Sequence, residues 1–120
     1  MNDAGSFAGR EEQSANYAVA SRKWVAKGSD VFVKEFTLAK GQEVPWHSHT
    51  TVFDIFYCIE GCLHVERLDM ANGQPLARLE LNIGNSAKVD VGTAHRPFYQ
   101  GPGQCRFLII QGVGKYDFIP

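Results

Sequence analysis

The sequence has no apolar run approaching the roughly 20 residues that a membrane-spanning helix needs, and no stretch keeps a sustained helical period. Its opening, MNDAGSFAGREEQSAN, carries acidic residues early and has no apolar centre, so it does not read as a secretory signal. A cytoplasmic protein with no membrane partner is expected. Charge of one sign is not in excess either. Twelve Lys and Arg stand against 13 Asp and Glu, for a net charge of −1. Nothing in that balance draws the chain to nucleic acid or to an anionic surface. Cysteine is scarce and odd in number, with Cys58, Cys62 and Cys105 alone. Cys58 and Cys62 flank an expected turn, so cross-strand proximity is conceivable. An odd count without a signal peptide argues against a disulfide framework, and reduced thiols packed as small hydrophobes are expected. Internal repeats and low-complexity tracts are missing as well.

What is present is ordinary globular material. Over 120 residues, 44% are hydrophobic and 21% charged, enough for one core and too little chain for two ordinary domains. Residues 1–16 are polar and rich in small side chains, and read as a flexible arm ahead of a single domain over 17–120. From Tyr17 onward, short β-branched or aromatic runs alternate with glycine-bearing turns. The runs are YAVASRKWVA, DVFVKEFTLA, VFDIFYCI, LHVERLD, ARLELNI, SAKVDV, RPFY and CRFLIIQGV. The first of them is ambiguous, because it is poor in β-branched residues. Asn72-Gly73 is a hairpin signal, since both residues tolerate positive φ. Eight or nine short strands at this spacing imply an all-β sandwich or barrel.

Within GQEVPWHSHTTVFDIFYCIEG, His47 and His49 share parity, so in an extended chain both side chains face one way. Asp54 follows after enough residues for a short turn, and its same-parity neighbours are Phe56 and Cys58. A carboxylate aimed into an apolar barrel mouth is costly unless it is paired or bound to a cation. Two imidazoles and a carboxylate are a familiar set for a divalent ion with open positions. His95, after the turn at Gly92, can complete a set of three histidines and one carboxylate. For Asp54 the alternative is a water-mediated or supporting role behind the ligands. His64 has no partner motif and reads as a surface or packing residue.

The spacing resembles that of small single-domain cupins of the cupin 2 type. In the family's first motif a glycine precedes His-x-His by five residues, and an acid and a second glycine follow. Here these are Gly41, His47, His49, Asp54 and Gly61, with aspartate where the family has glutamate. The second motif runs glycine, proline, glycine, histidine, asparagine. Here it reads Gly84, Asp90, Gly92, His95 and Tyr99, with the proline and the asparagine replaced. The resemblance implies a double-stranded β-helix, or jelly-roll barrel. It also implies a divalent metal ion (iron, manganese, nickel, zinc or copper) on His47, His49, Asp54 and His95.

Trp46, Phe56, Cys58, Phe98 and Phe107 are the candidates for lining a substrate pocket beside that ion, with plain core as the alternative for each. Tyr99 shares parity with His95 and is the candidate catalytic proton donor. Arg96 has the opposite parity and should face solvent. The implied function is that of a metal-dependent enzyme, an oxidoreductase of dioxygenase type or an isomerase, acting on a small molecule in the barrel. The alternative is a non-catalytic module that binds a small metabolite. A homodimer paired through edge strands fits both.

Overall fold

In the computed structural model, residues 17–120 are described, and they contain strands and turns but no helix. The expected arm, residues 1–16, lies outside the described residues. Eight strands form: β1 (Ser21–Lys27), β2 (Val31–Ala39), β3 (Phe53–Glu60), β4 (Leu63–Arg67), β5 (Leu79–Leu81), β6 (Ser86–Val89), β7 (His95–Phe98) and β8 (Gln104–Gly112). Each of the eight apolar runs overlaps one of them, with ends that agree to within a few residues. The ambiguous first run is a strand only from Ser21 onward.

The strands make two antiparallel sheets. One has the order β1-β2-β8-β3-β6 and the other β5-β4-β7. Facing residues in such a ladder share a side of the sheet, so the register defines the interior in layers. Phe36, Phe107 and Cys58 sit in one layer across β2, β8 and β3. Lys34, Ile109 and Phe56 make the next, and Phe32, Gln111 and Asp54 the one above it. The opposing sheet contributes Leu63 and Val65, then Arg67 beside His95. Phe36, Leu38, Phe56, Cys58, Leu63, Val65, Leu81, Val89, Cys105 and Phe107 are buried together. Each large apolar side chain so buried contributes about 1.5–3 kcal/mol. Apart from Thr37, the buried polar side chains gather in the top layers, at one end of the barrel.

Two turns show how the chain reverses. Gly61, between β3 and β4, has φ +77°, and a Cβ there would lie 2.9 Å from the Gln104 carbonyl oxygen. Only glycine fits both the left-handed conformation and the close approach of β8. At Asn72-Gly73 the hairpin is present, but only Gly73 takes positive φ. The side chain of Asp69 accepts the Ala71 N–H, and that of Asn72 accepts the Gln74 N–H. The loop is thus longer than the two-residue turn that the dipeptide alone suggests.

Candidate metal centre

The two histidine-bearing segments meet through their backbones. The His47 N–H donates to the His95 carbonyl (3.1 Å), and the His95 N–H returns the bond to His47 (2.9 Å). The Gly92 N–H donates to the His49 carbonyl (2.9 Å), which ties the turn before His95 to the same stretch. Asp54 arrives on β3, paired on its two sides with Val89 and Gln111. The result is a buried group of His47, His49, Asp54 and His95 whose ligand atoms lie within 4.8 Å of one another. All four side chains are no more than 5% exposed.

Hydrogen bonding fixes how the rings are presented. Nδ1 of His47 bonds the Pro45 carbonyl (2.7 Å), Nδ1 of His49 the Asp117 carbonyl (2.5 Å), and Nδ1 of His95 the Thr93 carbonyl (2.7 Å). A carbonyl oxygen only accepts, so each Nδ1 carries the proton. In the neutral ring, Nε2 then holds a lone pair. Nε2 of His49 and of His95 both face Oδ2 of Asp54, at 3.1 and 2.8 Å. The other carboxylate oxygen, Oδ1, accepts the side-chain amide of Gln111 at 2.9 Å. Lone pairs therefore converge on lone pairs, and such a set needs a shared proton or a cation to be stable. Nitrogen and carboxylate donors with their outer positions tied to backbone carbonyls fit a divalent ion of the first transition row or zinc.

The titration behaviour follows from the same contacts. Burial, reinforced by repulsion from His95, pushes His47 down to about 4. Burial also works against charge on His49, but the Asp54 carboxylate and the Asp117 carbonyl outweigh it and raise this ring above its ordinary value. Burial opposes the Asp54 anion too. Hydrogen bonds from His49 and His95 overcome that and hold its carboxyl well below the usual carboxylate range.

The expected pocket residues divide. The ring of Phe56 lies 6.0 Å from that of His95 and floors the centre. Phe107 sits one layer deeper, packed on Phe56 (6.1 Å) and Phe36 (5.8 Å), and is core. Cys58 shares the layer of Phe107, its thiol turned to the carbonyls of Glu60 and Gly61. Burial pushes the neighbouring Cys105 thiol up to about 12. Phe98 lies on the other side of its sheet, under Arg96 (4.4 Å), Arg78 (5.1 Å) and His64 (5.3 Å), and does not line the barrel. Trp46 is 38% exposed. Tyr99 is corrected most clearly. Its ring is part of the core, and its hydroxyl donates to the Pro102 carbonyl at 2.5 Å, so it does not serve the centre. His64 and Arg96 sit where expected, with Arg96 paired to Glu43 and Glu66.

Several residues at the centre carry no motif signal. Gln111 is one. Another is Lys34, buried on the inward face of β2 with its ammonium over the rings of Trp24 (4.7 Å), Tyr116 (5.2 Å) and Phe32 (5.7 Å). Tyr116 in turn packs 5.3 Å from His49, and Phe118 stacks on His47 at 4.5 Å. Parity could have found Gln111 and Lys34, since each interrupts an alternating apolar row on its strand. Tyr116, Asp117 and Phe118 follow the last strand, and nothing in their local sequence announces where they return.

Similar folds are known. A conserved protein with a double-stranded β-helix domain from Klebsiella pneumoniae subsp. pneumoniae MGH 78578 is 21% identical and superimposes with a TM-score of 0.70, covering 98% of this chain and 93% of its own. KdgF from Halomonas sp. is 18% identical with a TM-score of 0.66, over 84% and 90% of the two chains. An oxalate oxidase is 16% identical with a TM-score of 0.72, over 99% of this chain but 62% of its own. At these identities the likeness speaks for the fold alone. No curated protein matches the sequence. Residues 34–111 match the Cupin_2 family, described as a cupin domain, and span both histidine segments, all of β3 to β7 and most of β2 and β8. With that match and the barrel in agreement, the chain belongs to the cupin-domain family.

Proposed function

We propose that this protein holds a divalent metal ion on His47, His49, Asp54 and His95 and acts there, as a metal-dependent enzyme of dioxygenase or isomerase type, on a small organic molecule. The observation that supports this most directly is the donor set itself. Three imidazoles have Nδ1 committed to carbonyls, Nε2 of His49 and of His95 faces one buried carboxylate oxygen, and the ligand atoms of all four residues lie within 4.8 Å of one another. When bound, the ion would polarise a substrate oxygen or activate dioxygen, using coordination positions the protein leaves open. The chain's own residues do the rest. Gln111 holds Oδ1 of Asp54 so that Oδ2 stays aimed at the histidines. Phe56 and Phe118 supply apolar walls that keep water from the rings. An oxalate oxidase shares the fold, so the barrel is one that can carry oxidation chemistry.

A second reading is a non-catalytic module that captures a small metabolite at the same ion. It is favoured by the commitment of the Tyr99 hydroxyl to Pro102, which removes the expected proton donor. The proposal includes a cytoplasmic location, a single domain over residues 17–120, and a homodimer paired through an edge strand such as β1. None of the described residues forms a helix long and apolar enough to cross a membrane.

Elemental analysis of the purified protein beside His49→Ala tests the metal. One equivalent in the wild type and loss in the folded variant are expected, whereas metal-free wild type that takes up none of the five candidate ions would refute the assignment. Oxygen uptake by the iron(II) form across small catechols, thiols and diketones tests the dioxygenase version. Turnover supports it, and silence across the panel counts against it.

A further inference from the structure

The four ligands come from two stretches of chain, but the contacts that fix two of them come from a third. After β8 the chain turns back and lies beside His47–Thr50. The Ser48 N–H donates to the Ile119 carbonyl (2.8 Å) and the Ile119 N–H to Ser48 (2.9 Å). Between these bonds, the carbonyl of Asp117 accepts the Nδ1–H of His49. The carboxylate of the same residue accepts the Thr50 N–H at 2.8 Å, which closes the stretch just past the ligand. Phe118 then lies flat on His47, with ring centroids 4.5 Å apart and planes 10° from parallel. On its far side it meets Tyr17 at 6.0 Å. A backbone acceptor sets the tautomer and tilt of one ligand, and a stacked ring sets the plane of the other.

We propose that Asp117 and Phe118 are positioning residues of the metal centre, and that the segment Tyr116–Ile119 and the bound cation stabilise each other. This rests on the reading of the four residues as a metal site. The physical reason is that a histidine ligand binds well only when its ring is held with Nε2 along the metal direction, and partners behind the ligand do that holding. Coupling is reciprocal by thermodynamic necessity. If the segment favours the cation, the cation must favour the docked segment by the same factor.

Cobalt(II) is the probe, because its visible d–d bands report ligand geometry as well as occupancy. In the full chain, Phe118→Ala removes the stacked ring, and Asp117→Ala frees the Thr50 N–H and so loosens the segment whose backbone carbonyl holds His49; each is expected to weaken cobalt binding by about 10-fold to 100-fold and to shift the d–d bands. Asp117→Asn keeps an oxygen acceptor for the Thr50 N–H and should restore both. A second measurement does not depend on how the variants fold. Lys115 is exposed just before the segment, so trypsin cleavage after it in wild-type protein should slow when cobalt is added. Wild type that binds cobalt, with both alanine variants matching it in affinity and spectrum, would overturn the proposal and leave the metal site standing. Cleavage at Lys115 that is indifferent to cobalt in a cobalt-binding wild type would do the same. Wild type that binds no cobalt would sink the metal site and this proposal together.

Discussion

Asp54→Asn isolates the charge at the middle of the centre. The side chain is 1% exposed, and asparagine has nearly its shape, so no cavity opens. What changes is charge. In metal-stripped protein the aspartate oxygens face Nε2 of His49, Nε2 of His95 and the Gln111 amide, at 3.1, 2.8 and 2.9 Å. A hydrogen bond to a charged group contributes about 1.5–3 kcal/mol and a neutral one about 0.5–1.5. Downgrading two or three of them costs about 3 kcal/mol, which agrees with the roughly 3–5 kcal/mol for breaking a buried ion pair. For a domain of this size that lowers Tm by about 10–15 °C.

The pH dependence carries a sign that is specific to this arrangement. The folded pKa of Asp54 lies below its ordinary 3.8, so its contribution is present above 3.8 and is lost as pH falls below that value. The folded pKa of His49 lies above its ordinary 6.5, so its contribution is complete below 6.5 and is lost as pH rises through the folded value. The gap between wild type and variant should therefore be widest between about 4 and 6.5 and narrow on both sides. Thermal unfolding followed by circular dichroism, from pH 3 to 9 in chelator, reads it. A gap below about 2 °C throughout, or one that widens steadily toward alkaline pH, would refute Asp54 as the buried anion of the group.

Three further changes test the frame around the site. Gly61→Ala forces a Cβ to within 2.9 Å of the Gln104 carbonyl at φ +77°, and should cost about 1–3 kcal/mol in urea unfolding, whereas Gly73→Ala, with nothing within 4 Å at φ +72°, should cost only about 1 kcal/mol. Tyr99→Phe removes the hydrogen bond to Pro102 and should cost about 1 kcal/mol of stability with cobalt affinity unchanged; a loss of cobalt binding would return Tyr99 to the centre.

The centre was legible where its geometry is local. His47, His49 and Asp54 lie within eight residues of one another; alternation puts the two histidines on one side, and the short turn before β3 brings Asp54 round to them. His95 could be placed because a glycine turn at fixed spacing precedes it. The pocket residues show two distinct ways of failing. Trp46 and Phe98 each lie close to a ligand in sequence, yet each has the opposite parity, and parity governs which side of a strand a residue occupies. Cys58 and Tyr99 have the right parity but the wrong depth. Each lies four residues from a ligand, and at about 3.3 Å per residue that is roughly 13 Å along the barrel. Phe56, two residues from Asp54, satisfies both conditions, and its ring is the one found under the centre.

Gln111, Asp117 and Phe118 belong to a different class, because nothing local says which ligand each of them meets, even where parity turns Gln111 inward. Gln111 reaches Asp54 only through the register of β3 on β8, in which the two residues face each other. That register is set by the apolar layers below, Phe56 with Ile109 and Cys58 with Phe107. A slip of one residue would turn the whole row to the other face and part the amide from the carboxylate. The core thus does more than stabilise the barrel. By fixing register it sets the orientation of Asp54, and an aspartate, one methylene shorter than the glutamate of the family motif, has less freedom to correct an error. Here the shorter acid is clamped at Oδ1 by an amide the core delivers, which leaves Oδ2 aimed between two imidazoles. A change at Ile109 or Phe107, with no atom near the ligands' donor face, should therefore be felt at the centre through the ladder that carries Gln111.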